Sequence, residues 1–184
     1  LLTYPIHWLP AALQPTALNL TAAAFAAITL GLLARSVALL PQDRTREQRH
    51  RAHHELGLLR VPGAWLAPVL AAAVCGLQLS FLEHATAGTG EMLDLLLLAY
   101  VVRCLLEYRI DERESWLTRL AFVYGLGVVE NFAMIALFPL MLGALVWILG
   151  RDFFNLSFWS RMLGWGIAGL LLYLVLPLIA ALGG

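Results

Sequence analysis

Glu83, His84, Glu91 and Asp94 fall close together in FLEHATAGTGEMLDLLLLAYVVRCLLE, the stretch from residue 81 to residue 107. Carboxylates grouped with a histidine suit two chemistries. They can bind a divalent cation, which prefers oxygen ligands, or act as a general base on a hydroxyl. Glu91 and Asp94 are three apart, so they share a face of any helix they occupy. Glu83 and His84 end the preceding apolar run and can approach from across the turn. Glu130 and Asn131 form another polar pair inside an otherwise apolar stretch. A carboxylate in hydrocarbon costs at least about 2.5–3.5 kcal/mol on insertion scales, so such residues face a cavity, a partner or water. The competing explanation is hydration alone, with Glu83, His84 and Glu91 solvating the turn and Glu91 further favoured by the positive end of a helix. Asp94, a turn deeper, fits that explanation less well.

The elements that must position these residues are membrane helices. The chain is 61% hydrophobic and 13% charged, with a mean hydropathy of +0.79, outside the range of an ordinary soluble domain. The fold expected is all-α, a polytopic transmembrane bundle forming a single domain over residues 1–184. A crossing takes roughly 20 apolar residues, and such runs lie at 17–40, 61–82, 91–108 and 162–182. The run from 116 to 150 is too long for one crossing. Gly125, Gly127, Glu130-Asn131 and Pro139 divide it into helices near 116–129 and 132–149. Six crossings result.

The 12 basic residues, all arginine, balance 12 acids, so net charge points to no nucleic-acid partner. Their distribution fixes an orientation, because cytoplasmic flanks accumulate Lys and Arg. With six crossings, Arg44, Arg46, Arg49, Arg51 and Arg60 in linker 41–60, Arg109 and Arg113 in the next linker, and Arg151 and Arg161 around the last one share a side. Arg35, Arg103 and Arg119 can snorkel to that side. The opposite, exterior side carries 83–90, the Glu130-Asn131 turn and Gly183-Gly184, and no arginine. Trp65, Trp116, Trp147 and Trp159 fall near the cytoplasmic boundary, as an aromatic belt does. The expected location is a bacterial inner membrane, crossed several times, with the lipid bilayer as first partner.

Other groupings have simpler explanations. His50, His53, His54 and Glu55 have metal-like spacing, but they sit in QDRTREQRHRAHHE, whose polarity and basicity fit a solvated loop near anionic lipid headgroups. Arg103 and Glu107 are four apart and can pair near the cytoplasmic end of their helix. Gly164, Gly166 and Gly169 permit close helix approach. Cys75 and Cys104 lie in apolar runs and read as packing residues, not a disulfide or metal pair. Asn19-Leu-Thr21 and Asn155-Leu-Ser157 match the glycosylation pattern but lie within or against helices. The opening LLTYPIHWLP has no signal-peptide features, and the chain reads as a piece of a longer protein.

LEHATAGTGEMLDLLLLAYVVRCLLEYRIDERESW, followed by LAFVYGLGVVENFAMIALFPLMLGALVWI, resembles a bacterial polytopic membrane family of unknown function. That family is related to the protein O-mannosyltransferases and other glycosyltransferases of the GT-C type. LPAALQPTALNLTAAAFAAITLGLLAR is similar to the segment that follows the first exterior loop in these proteins. The resemblance implies that the six helices match the second to seventh of a larger enzyme. It further implies a polyprenyl-phosphate sugar as donor and an exterior acceptor. Glu91 stands where related transferases often carry an acid opening the fourth helix. The catalytic acid, expected to serve as base at the acceptor hydroxyl, would then lie upstream of Leu1, so that these 184 residues alone would be inactive. Glu130-Asn131 stands where the family often shows Asn-Asn.

The expected site edge is therefore Glu83, His84, Glu91, Asp94, Glu130 and Asn131, bordering a lipid-linked sugar phosphate. No metal ligand set is assigned, although the acids alone would repel a phosphate and call for a divalent cation or an upstream basic residue. The alternatives are a transporter or channel subunit, with Asp94 and Glu130 lining a polar path, and a non-catalytic membrane scaffold.

Overall fold

The computed structural model describes residues 10–40, 65–87 and 90–172. The basic linker 41–60 with its His50, His53, His54 and Glu55, the last part of the expected helix 162–182, and Gly183-Gly184 lie outside the described residues. Within them the chain is all-helical, with eight α-helices and one 3-10 turn and no strand. They are α1 (Gln14–Leu39), α2 (Leu66–Gly76), α3 (Leu79–Thr86), α4 (Glu91–Asp111), α5 (Glu114–Glu130), the single turn α6 (Ala133–Ala136), α7 (Phe138–Leu149) and α8 (Leu156–Leu171).

α1 starts with proline in its first turn, where the missing N–H would have no helical partner in any case. Its buried residues are Ala22, Ala26, Thr29, Leu32, Ser36 and Leu39, a stripe at three- and four-residue spacing. The stripe is made largely of small side chains, which let α4 approach closely. Thr29 turns its hydroxyl inward along its own helix, donating to the Phe25 carbonyl at 2.8 Å. α4 packs on α1 on one side and on α5 on the other. It ends at Glu112, which adopts the left-handed conformation with φ 54° and turns the chain back into α5.

The helix expected over 61–82 is instead broken over its described part. α2 and α3 meet at 70°, because Gln78 between them is extended, with φ −64° and ψ 131°. Gly76, at the break, sits against Leu30, whose Cδ1 would be 3.1 Å from an added Cβ. The division of 116–150 is present in the structure, although the helix expected over 132–149 is itself broken at Leu137 into α6 and α7, ahead of Pro139 in the first turn of α7. α5 ends at Glu130, Asn131 turns the chain, and α6 and α7 run back along it, with Leu117 packing near Leu142, Leu145 and Leu149.

The segment expected as linker 151–161 is largely helical, since α8 begins at Leu156, six residues before the expected start. Asn155 supplies the reason, as its side chain accepts from the Ser157 N–H at 3.1 Å and caps the helix. The glycosylation-like Asn155-Leu-Ser157 is thus a capping motif. Asn155→Ala is expected to lower stability by about 1 kcal/mol, read as a lower melting temperature, with Asn155→Ser close to the parent.

α8 runs parallel to α5 and makes the largest helix–helix contact of the fold with it. Gly125 faces Gly166, and Gly169 faces the Phe122 backbone. Gly164 does not take part, since nothing lies within 4 Å of the position its Cβ would occupy.

By length and apolarity α1 qualifies as a membrane-crossing helix, as does the bent α2–α3 pair if it is taken as one span. α4 is long enough, but Glu91, Asp94, Arg103, Glu107, Arg109 and Asp111 make it too charged to meet the same standard.

Candidate functional site

The helix directions sort the charged residues to two ends of the bundle. α1 and α4 run in the same direction and bring Arg35 beside Glu107, with their Nε and Oε1 3.2 Å apart. α5 returns antiparallel to α4, so Val101, Cys104 and Leu120 form a buried cluster midway, while Trp116 reaches Arg103 at one end and Asn131 reaches Asp94 at the other. Arginines and acid-edge residues therefore occupy opposite ends of the same helices.

At the acid end, four of the six expected site residues come together as two pairs. His84 Nδ1, from the last turn of α3, contacts the carboxylate of Glu91 at the start of α4. One turn further along α4, Asp94 Oδ2 accepts from Asn131 Nδ2 at 2.7 Å. The other end of the same amide is also used, because Asn131 Oδ1 accepts from the Ala133 N–H at 2.9 Å. That backbone donor fixes which amide atom faces Asp94. One asparagine thus turns the chain between α5 and α6 and holds a carboxylate on α4. Glu83 and Glu130 are exposed and join neither pair.

Asp94 is only half-satisfied. Its Oδ1 is buried and, among the described residues, has no hydrogen-bond partner. A buried acceptor without a partner costs about 1–3 kcal/mol, and more when charged, so this oxygen needs an account. Among the described residues no three His, Cys, Asp or Glu side chains converge to hold a metal ion. The acid edge offers fixed carboxylate oxygens and no cation cage.

The arginine end is more densely connected than spacing alone predicts. The i,i+4 partners Arg103 and Glu107 meet at 3.5 Å, and Arg35 adds a second guanidinium to the same carboxylate from α1. Glu107 is 5% exposed. The Arg103 and Arg119 guanidinium carbons lie 5.8 and 4.9 Å from the Trp116 ring centroid. Arg161 of α8 pairs with Glu114 of α5, and Arg109 lies over Trp147 at 5.8 Å. Sequence reasoning identified Arg103–Glu107 but missed Arg35 and Glu114 as pairing partners. The only available signal was the shared end to which the topology assigns them, and that gives depth without lateral neighbours.

Two concavities lie among the described residues. An apolar groove of about 320 Å³ lies between α5, α7 and α8, lined by residues such as Tyr124, Gly125, Phe138, Met141 and Met162. A polar one of about 620 Å³ lies at the arginine end, edged by Tyr108, Arg109, Glu112, Glu114, Trp147 and Asp152.

In comparisons with family models, curated proteins and solved structures, nothing matches this chain.

Proposed function

We propose that the chain is the helical core of a multi-pass, GT-C-like glycosyltransferase of a bacterial inner membrane, with six crossings, its arginine end cytoplasmic and its acid end exterior. At the acid end Asp94 borders the place where a polyprenyl-phosphate-linked sugar meets its acceptor.

Membrane embedding is supported by where the apolar surface lies. α2 and α7 have no buried residue, and Leu77, Leu140 and Trp147 are 77%, 73% and 82% exposed. Only 22% of the apolar window of α1 is buried, whereas an equally apolar core helix of a soluble protein is mostly buried. Apolar surface this continuous needs lipid or another protein against it. The antiparallel return of α6 and α7 along α5 supports the count of six. α7 alone, at about 18 Å, is short for a hydrocarbon layer of about 30 Å, but α6 and α7 together reach about 25 Å. The α2–α3 bend is then a broken crossing, whose freed backbone groups are tolerated where they are covered by protein.

The observation that carries the catalytic reading is the Asp94 carboxylate, one oxygen held by Asn131 and the other buried and without a partner among the described residues. A carboxylate fixed in this way is ready to accept a proton or a hydrogen bond from an acceptor hydroxyl. The glycosyl donor's phosphate must find its positive partner elsewhere, because acids alone repel it. The resemblance of residues 81–149 to the GT-C-related family supplies the substrate class. A channel is less well supported, since the buried face of α4 between Asp94 and Arg103 is Leu97, Ala99 and Val101, with no polar step.

Sugar transfer from a polyprenyl-phosphate donor in membranes containing the parent protein tests this reading. Asp94→Asn keeps the acceptor for Asn131 but removes the carboxylate charge at the site edge, and transfer is expected to fall well below that of the unmodified protein. Glu83→Gln and Glu130→Gln are expected to retain it. Undiminished transfer by Asp94→Asn would sink the assignment.

A further inference from the structure

The arginine end carries more positive charge than its acids use. Arg35, Arg103 and Arg119 gather around Trp116 and Glu107. Glu107 is the one carboxylate in that group, and Arg35 and Arg103 already share it. Arg103 Nε is buried without a hydrogen bond among the described residues, lying 3.5 Å from Glu107 Oε1. Arg119 is exposed and lies over an indole, with no carboxylate among the described contacts. Among the described residues, three guanidiniums against one acid leave a local excess of two positive charges. The excess is concentrated where the apolar sides of α1, α4 and α5 give way to the polar end of the bundle.

We infer that this group binds the phosphate of one anionic lipid headgroup in the adjoining leaflet, with Arg119 and Arg103 as its donors and Trp116 as the platform between them. The guanidinium fork matches phosphate oxygens in a way that an ammonium does not. A tryptophan at headgroup depth has its apolar ring in the acyl boundary and its N–H toward water. A lipid is favoured over a free phosphate by this location, because the helix sides below the arginines are apolar and would lie along an acyl chain. Glu107 has a positioning role, holding Arg103 and Arg35 at the rim. The inference rests on the membrane reading, not on the chemistry proposed for Asp94.

The full chain, reconstituted in phosphatidylcholine nanodiscs, is titrated with phosphatidylglycerol, and bound lipid is counted by native mass spectrometry. The unmodified chain is expected to retain one phosphatidylglycerol. Each basic residue near an anionic surface contributes a factor of about five in affinity, so Arg119→Gln is expected to weaken retention about fivefold. Arg113→Gln, at the same end but in the α4–α5 loop, is expected to leave it unchanged. Equal retention by Arg119→Gln, or equal loss by Arg113→Gln, would overturn the site in favour of none or of a diffuse surface charge. Inorganic phosphate that displaces the lipid at matched concentration would overturn the headgroup assignment. A chain that does not enter the nanodiscs at all would overturn the membrane reading and this inference with it, while leaving the fold of the bundle standing.

Discussion

Gly169→Leu is expected to separate α8 from α5 and to cost the protein its cooperative melt. A Cβ at Gly169 would collide with the Phe122 carbonyl oxygen and come within 3.0 Å of the Leu126 nitrogen. Both obstacles are backbone atoms of α5, so no side-chain rotation can relieve the clash and the helices must move apart. Overpacking commonly costs about 1–3 kcal/mol, and more where the backbone must shift. Here it falls on the largest helix–helix contact of the fold, and in a membrane close packing is the main force available to hold two helices together. Gly125→Leu meets the Gly166 carbonyl in the same way. Gly164→Leu is the control, since its added side chain would meet open space, and it is expected to melt with the parent. If Gly164→Leu and Gly169→Leu lower the melting temperature equally, the clash with α5 is not responsible, and helix propensity is not either, since leucine has the higher propensity at both positions.

Replacing Glu107 is expected to have the next largest effect. Glu107→Ala leaves the Arg35 and Arg103 guanidiniums facing each other without their shared carboxylate, at a site where Glu107 itself is buried. Breaking a buried ion pair from one side costs about 3–5 kcal/mol, and the expected loss lies toward the lower value because Arg35 is half in solvent. Removing charge from both sides is expected to do less harm than removing it from one, since a well-packed apolar replacement is often neutral. Glu107→Leu combined with Arg103→Met should therefore melt above Glu107→Ala. The reverse order would mean that the network stabilises by more than mutual neutralisation.

The acid edge was legible in the sequence as a set of residues but not as an arrangement. Glu91 and Asp94 share a face because of their spacing alone, and His84 and Asn131 were already on the same side by topology. Which of them touch depended on the exit of α3 and the tight turn at Asn131. Glu83 and Glu130 satisfy the same composition and depth criteria as His84 and Asn131, yet they are exposed and join neither pair. One residue of register on a helix rotates a side chain by about 100°, and neither spacing nor hydropathy fixes that rotation for a helix end. The broken α2–α3 segment was hidden for a related reason. Its run is apolar apart from Gln78 and Ser80, and a polar residue in such a run says nothing of the extended φ and ψ that Gln78 adopts.

Composition and spacing by themselves determined that the described chain is helical, where α1, α4, α5 and the α6–α7 pair lie to within a few residues, that 116–150 doubles back, and that no arginine lies beside Glu83 to Asp94 or Glu130. These follow from local rules: the length of apolar runs, the cost of burying charge and the punctuation by Gly, Asn and Pro. Only the tertiary structure decided that Arg35 reaches Glu107 across 72 positions, that Gly166 and Gly169, but not Gly164, meet α5, and that Asn131 holds one oxygen of Asp94 while the other stays buried with no partner among the described residues. Those outcomes depend on lateral neighbours and helix rotation, which arise from packing the whole stripe of each helix at once. Lateral choice is non-local, and no stretch of the sequence encodes it alone.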